Sequence, residues 1–293
     1  MGISISLSNH MALSSIQLEA FYSLAQNGTF TKAAEKLNVT QSALSQRIMN
    51  LESDLETTLF IRDRAGIRLT PTGEDLLRYC QTKNSFEEEF LSSLKSQTSK
   101  ELSGVVRVAG FSSIMRSVVM PSLVSLARDN PHLQLQFFTR EMDELLPLLK
   151  RGEVDFVLND QDEDREELES ILIGKEQNVL SERQNYSGPE IYLDHDERDM
   201  VTMRYLKLAK IKPEKFTRHF VDDVYGILDG VKMGLGRGVL PRHIVRDEKK
   251  IAILSPKTIL EIPIHLHFFK QPYYSKLHQA VVQELKNKAP QQL

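Results

Sequence analysis

In the stretch TQSALSQR, residues 40–47 of a 293-residue chain, Gln41, Ser42, Ser45 and Gln46 stand close together. A Gln amide can pair with an adenine edge through two hydrogen bonds, and a Ser hydroxyl can pair with several bases or with a phosphate oxygen. Side chains this small let a helix sit deep in a major groove. The chemistry on offer is recognition by hydrogen bonding, with no bond made or broken.

The elements that must display these residues can be read from the same region. Thr29 is placed to cap a helix beginning at Phe30, with Ala33, Ala34 and Leu37 on its inner side. Asn38-Val39 gives a short turn, and Asn tolerates the left-handed backbone that such turns use. Thr40 caps the next helix, where Leu44, Ile48, Leu51 and Leu55 share one face and Ser42, Ser45, Gln46 and Met49 lie opposite. Two helices joined by so short a turn, the second polar over its first turns, match a helix-turn-helix. The helix starts at Thr31-Lys32 and Thr40-Gln41 offer amides to phosphates. After them, LFIRDRAGIRLT supplies two extended arms around Ala65-Gly66, a wing that carries Arg62, Arg64 and Arg68. The competing reading is a helical packing unit whose polar face meets only water. Caps, turn, polar patch and basic wing coincide, and that favours DNA.

Bulk charge does not contribute. The net charge is −3, and between Leu13 and Gly73 six basic residues (Lys32, Lys36, Arg47, Arg62, Arg64, Arg68) face six acids (Glu19, Glu35, Glu52, Asp54, Glu56, Asp63). Composition, at 41% hydrophobic and 26% charged, is that of a soluble globular protein, and the length predicts two or three domains. No apolar run is long enough to span a membrane. The start, MGISISLSNHMALSS, has neither the basic segment nor the continuous apolar core of a signal peptide. The lone Cys80 fits a reducing cytoplasm and reads as an inert thiol in preference to a redox sensor.

The pattern along the chain predicts an α+β multidomain protein. Residues 1–12 read as a flexible tail, with Met11 as an alternative start, and residues 13–71 as the DNA-binding domain. A linker helix with a hinge follows over 72–100, its apolar stripe formed by Leu76, Leu77, Cys80, Phe86, Phe90, Leu91 and Leu94. From 101 to 293 strands and helices alternate. VVRVAGF, SSIMRSVVMPSLVSLARDN, LQLQFF, MDELLPLLKRG and VDFVLN form one βαβαβ series, and EIYLD through RGVLP a second, so two α/β subdomains are expected. The first takes residues 104–170 and 262–293, the second 171–261. DQDEDREELE (160–169), with seven acids and one Arg, reads as a solvated connection between them.

The segment from LEAFYSLAQNGTFTKAAEKL through TQSALSQRI to LTPTG resembles, nearly without gaps, the N-terminal domain of the LysR-type transcriptional regulators. The resemblance implies DNA contacts at Gln41, Ser42, Ser45 and Gln46, with a wing contact at Arg62. Many relatives have Pro or Ser at the position of Ser42 and Arg where Gln46 stands; the Gln46-Arg47 pair instead resembles an arginine- and lysine-responsive branch. It further implies dimerisation through 72–98 and a regulatory part built like periplasmic binding proteins, echoed in PSLVSLARDNPHLQLQF, LLKRGEVDFVL and DGVKMGLGRGVLP. Arg237 departs from the apolar residue common there, and 175–215 matches poorly. By the same resemblance the protein is a homodimer or homotetramer in the cytoplasm. Its partners are a two-fold symmetric promoter site on double-stranded DNA, a small-molecule effector and, if it activates, RNA polymerase. Two-fold pairing also follows from geometry, since one small helix reads too few base pairs.

Open parallel sheets bind ligands beyond the carboxyl ends of their strands. Those positions are Phe111-Ser112-Ser113, Met142-Asp143 and Asn159-Asp160, and opposite them Asp194-His195 and Asp222. Ser112 and Ser113 with helix amides suit a carboxylate, although serines there also serve as plain caps. IYLDHDERDM resembles the arginine/lysine branch, and its carboxylates favour a cationic ligand such as a basic amino acid; a solvated loop explains the same charge. His265 and His267 share a strand face, yet no third and fourth metal ligands stand at a telling interval. GLGRGVLP does not run into a helix and is no phosphate loop, and no catalytic signature is present, so neither a cofactor nor an enzyme activity is expected.

Overall fold

The structure is a computed structural model that describes residues 13–63, 66–95, 102–213 and 216–293. The chain divides into two units that meet in sequence near residues 84–85, the four residues 150–153 aside. The expected tail (1–12), Arg64 and most of the expected hinge (96–101) lie outside the described residues.

In the N-terminal unit, α1 (Ser15–Asn27) ends at Gly28 in the left-handed region. Thr29 accepts from the Lys32 amide at 3.3 Å and starts α2 (Phe30–Lys36); Thr40 accepts from the Ala43 amide at 3.2 Å and starts α3 (Gln41–Asp54). Between them Asn38 takes φ 53, the turn geometry its side chain tolerates. Leu44, Ile48 and Leu51 point into a core with Phe21, Leu24, Ala33, Leu59 and Leu77. Glu52 fastens the wing to α3 by accepting from the amides of Leu59 (2.7 Å) and Phe60 (3.2 Å). The wing is the antiparallel pair β1 (Phe60–Asp63) and β2 (Gly66–Leu69). Thr70 then caps α4 (Pro71–Lys95) through the Gly73 amide at 3.0 Å. A side chain at Gly73 would place its Cβ 2.3 Å from the Leu59 carbonyl oxygen, which explains the glycine of LTPTG. The stripe expected along α4 divides in two. Leu76, Leu77 and Cys80 are buried in this core, whereas Phe86, Phe90 and Leu91 are exposed.

The C-terminal unit carries one nine-stranded sheet. Its first lobe has β3 (Gly104–Gly110), α5 (Ser112–Ile114), a π-helical turn (Met115–Val119), α6 (Met120–Asp129), β4 (Leu133–Thr139), α7 (Met142–Lys150) and β5 (Phe156–Asn159). β6 (Leu168–Arg183) leads to the second lobe: β7 (Ile191–Asp194), α8 (Val201–Ala209), β8 (Thr217–Phe220), α9 (Val224–Met233), β9 (Arg237–Pro241), α10 (Arg242–Val245) and β10 (Ile251–Ile253). β11 (Leu260–Phe269) returns to the first lobe, and α11 (Lys276–Gln292) packs there. The strand order is β4-β3-β5-β11-β6-β9-β7-β8, with β10 on β6. β3 is parallel to β4 and β5, and β7 to β8 and β9, as the two βαβ series require. Each lobe buries both sheet faces. Val108, Phe156 and Leu266 lie on one face of the first and Val157 and Leu149 on the other; in the second the neighbours Tyr192 and Leu193 enter opposite cores.

Three features differ from the sequence expectation. β6 and β11 pair antiparallel through both lobes, so the breaks expected at 170/171 and 261/262 fall inside strands. The pairing shifts register where Ile264 faces Gly174 and His265 faces Leu172, leaving Ile173 as an extra residue between the lobes. The single helix expected after β3 contains the π-turn just before Pro121, whose missing N–H and bulky ring disfavour a regular turn there. Arg237, unusual in its strand, bonds Glu182 at 2.9 Å and Glu190 at 3.1 Å, which meets its charge on a half-buried face.

Candidate nucleic-acid interface and effector cleft

Gln41, Ser42 and Gln46 are exposed on α3 and Ser45 is half-buried beside them. Two hydrogen bonds hold this surface before any partner arrives: Thr40 Oγ1 lies 3.0 Å from Ser42 Oγ, and Gln46 Nε2 donates to Asn50 Oδ1 at 2.8 Å. The second fixes which way the Gln46 amide faces, a role for Asn50 that the sequence pattern does not announce. Thr31 and Lys32 are exposed at the start of α2. The caps occupy the Lys32 and Ala43 amides, leaving the earlier amides of each helix without intrahelical partners. Arg62 lies over the Phe30 ring, its guanidinium carbon 4.3 Å from the centroid, so an apolar platform holds the wing's cation beside α2.

In the C-terminal unit residues after the parallel strands of the first lobe approach residues of the second lobe. Ser113 is buried at the start of α5, and its hydroxyl donates to Glu176 Oε1 at 2.9 Å. Glu176 lies on β6 beyond the bulge and is 3.0 Å from Nε2 of His243 on α10. The other ring nitrogen, Nδ1, is 2.8 Å from Ser117 Oγ. The Ser117 hydroxyl also donates to the Ser113 carbonyl at 2.6 Å. This closed set joins the first lobe to the second. The His243 and Glu176 side chains in it are 0% and 5% exposed.

Two other candidates, His195 and Asp160, also interact between the lobes. His195 Nε2 is 3.7 Å from Glu141 Oε2, next to the exposed Met142 and Asp143. Asp160 is half-buried; burial raises its carboxyl above the usual range, while Arg204 of the second lobe pulls it back and Glu176 adds to the rise. Phe111 and Ser112 are half-buried at the helix start and Asp222 is exposed.

Two candidates are held inside the fold. Asp194 is 2% exposed, with Thr202 Oγ1 and Arg218 Nε bonded to its two oxygens, so it ties α8 and β8 to β7. Burial raises its carboxyl, and both partners pull it down. Asn159 Oδ1 meets His267 Nε2 at 2.7 Å and the Gln161 amide at 3.1 Å. Burial accordingly lowers the His267 imidazole below its ordinary value. Among the described residues, no three His, Cys, Asp or Glu side chains are grouped to hold a metal ion.

Sequence reasoning missed Glu176, His243, Ser117 and Glu141. One signal was present for Glu176: it alternates with Asn178 and Leu180 on one side of a strand, where a polar pair must find partners.

A helix-turn-helix unit followed by a two-lobed α/β unit defines a DNA-binding regulator that carries a ligand-sensing domain. Similarity to known proteins identifies the family. Residues 16–74 match the bacterial regulatory helix-turn-helix protein, lysR family, and residues 99–290 match the LysR substrate binding domain. The chain is 27% identical over 236 residues to the HTH-type transcriptional regulator YofA of Bacillus subtilis, covering 78% of this chain and 81% of that one. It is 25% identical over 301 residues to CysL of the same organism, covering 92% and 93%. Among solved structures, ArgP from Mycobacterium tuberculosis aligns with TM-score 0.75 at 20% identity, over 95% of this chain and 98% of that chain. Full-length LysG from Corynebacterium glutamicum with bound effector Arg aligns with TM-score 0.72 at 18% identity, over 95% and 99%. The chain belongs to the LysR family and is a DNA-binding transcriptional regulator with an effector-binding domain. Among the described residues, no helix is long and apolar enough to cross a membrane.

Proposed function

We propose that α3 enters the major groove of a two-fold symmetric promoter site, with Gln41, Ser42, Ser45 and Gln46 on base edges. Arg62 and Arg64 hold the backbone, and the helix starts at Thr31-Lys32 and Thr40-Gln41 meet phosphates. Residues 13–71 are the DNA-binding domain, 72–100 pair two subunits, 101–293 sense the effector, and dimers associate into a tetramer. The protein works in the cytoplasm and catalyses no reaction; where it activates, RNA polymerase is a further partner. The observation that carries the DNA reading is the exposed polar face of α3 beside a cation held over Phe30.

The effector sits between the lobes, within reach of Phe111, Ser112, Ser113, Met142, Asp143, Asn159, Asp160, His195 and Asp222, with Asp194 holding one wall. Ser112 and the helix amides beside Ser113 suit a carboxylate, and Asp160 with Glu141 suits a cationic side chain. A basic amino acid meets both ends, and the bound Arg in LysG supports this choice. By linkage it shifts the protein only by binding one lobe arrangement better.

The test is selection of random duplexes by the full-length protein, followed by binding at two salt concentrations with and without arginine or lysine. An interrupted palindrome is expected, and Gln41→Ala with Ser45→Ala should cost roughly 1–3 kcal/mol of discrimination for each base-reading side chain removed. Arg62→Ala should weaken all sequences alike and lower the salt slope by about one. A folded protein that enriches no duplex would sink the reading.

A further inference from the structure

A half-open pocket of about 340 Å³ lies between the lobes, lined by the π-turn of the first lobe and by α9 and α10 of the second. Cavities of this order suit small molecules. Its chemistry is ordered along α9, since Tyr225 and Lys232 are seven residues and about 10 Å apart along the helix axis.

At the Tyr225 end, Arg116 lies over the phenol ring, 4.2 Å from the centroid. Among the described residues no carboxylate is within ion-pair distance of Arg116. The Tyr225 hydroxyl is buried with no hydrogen-bond partner. Ser117 Oγ is the polar group beside it, and its own proton goes to the Ser113 carbonyl. An exposed guanidinium stacked on a phenol whose buried hydroxyl makes no hydrogen bond of good geometry offers two donors to an oxyanion. At the far end, Lys232 Nζ is 3.3 Å from both Asp229 and Glu248, a cluster with one excess negative charge. Leu228 and Ile244 make the apolar wall between.

We propose that this cavity is a second small-molecule site, separate from the cleft, that takes a monocarboxylate with a short aliphatic body. The carboxylate bonds Arg116 and Tyr225, the alkyl part lies on Leu228 and Ile244, and the acidic far end rejects a second carboxylate. An α-amino group would meet Asp229 and Glu248, so aliphatic amino acids and their des-amino analogues share the chemistry. The ligand would touch both lobes beside the Ser113–Glu176–His243–Ser117 set, so it would hold them in the arrangement seen here.

The test is titration calorimetry on the full-length protein with 4-methylpentanoate, L-leucine and glutarate. Saturable binding of 4-methylpentanoate, L-leucine or both is expected, weakened roughly tenfold by Tyr225→Phe and at least as much by Arg116→Gln, with circular dichroism unchanged. Asp160→Asn, in the cleft, should leave it unaltered. Tighter binding of L-leucine than of 4-methylpentanoate supports the site and assigns the ammonium to Asp229 and Glu248. Three results overturn the proposal: no binding of either monocarboxylate, loss on Asp160→Asn with Tyr225→Phe silent, or glutarate binding as tightly as they do.

Discussion

The two units solve the same problem, presenting polar groups to a partner, in opposite ways. The N-terminal unit builds its surface from neighbours in sequence: Thr29 and Lys32, Thr40 and Ala43, Gln46 and Asn50 are each within four residues. The C-terminal unit builds its cleft from residues far apart, with Ser113, Glu176 and His243 more than sixty residues from one to the next. A local surface tolerates single changes, because each hydrogen bond stands nearly alone. A set closed across two lobes does not, because removing one member strands the others.

Removing the central member should therefore have the largest effect. Glu176→Ala leaves Ser113 and His243 buried without their partner and should cost about 1–3 kcal/mol for each stranded group. Chemical denaturation of the full-length protein, with hydrogen exchange to assign the loss to the C-terminal unit, measures it; a cost comparable to a surface change would break the contrast. Next is acid stability. His278 packs against Phe156, Phe268 and Tyr274, and burial pushes its pKa down to about 4. The unfolded chain then binds the extra proton first, so stability is whole above about pH 6.5 and falls as pH drops from there towards 4. The loss should amount to roughly 3 kcal/mol, and His278→Phe should remove that slope. An unchanged slope in the variant would exclude this residue as the cause.

Smaller still is the effect expected in the local unit. Thr40→Ala removes one cap and should cost about 1 kcal/mol, with DNA affinity falling by no more than the helix start is loosened. A loss as large as that of Glu176→Ala would erase the distinction between the units. Cys80 should give the least response of all. It is buried in the N-terminal core and its thiol is pushed up to about 11, so alkylating reagents should leave the folded protein unlabelled near neutral pH. Rapid labelling, followed by mass spectrometry, would contradict that burial.

The same contrast explains what could be read in the sequence. Caps, turn and the apolar face of α3 were legible because each cause sits beside its effect. The two βαβ series were legible because period and length distinguish buried strands from helices. β6 was not, since its run of Gly174, Lys175, Glu176, Gln177 and Asn178 looks like a loop until Glu176 and Asn178 find partners inside. Asp194 illustrates the converse. Its place at a strand end suggests a ligand group, but Arg218, twenty-four residues on, consumes it. No local pattern announces such a partner.

The two strands that cross between the lobes have a consequence for how this chain could be cut and rejoined. The second lobe is an insertion within the first, entered along β6 and left along β11, so the lobes are not consecutive cassettes that recombination can exchange at one joint. At the register shift, however, Leu172 and His265 face each other as paired residues, about 5 Å apart between Cα atoms. Excising 173–264 would leave two chain ends already side by side, within reach of a short hairpin turn, but it would also take Ile173 and Ile264 out of the first lobe's core, so the crossing strands belong to both lobes at once.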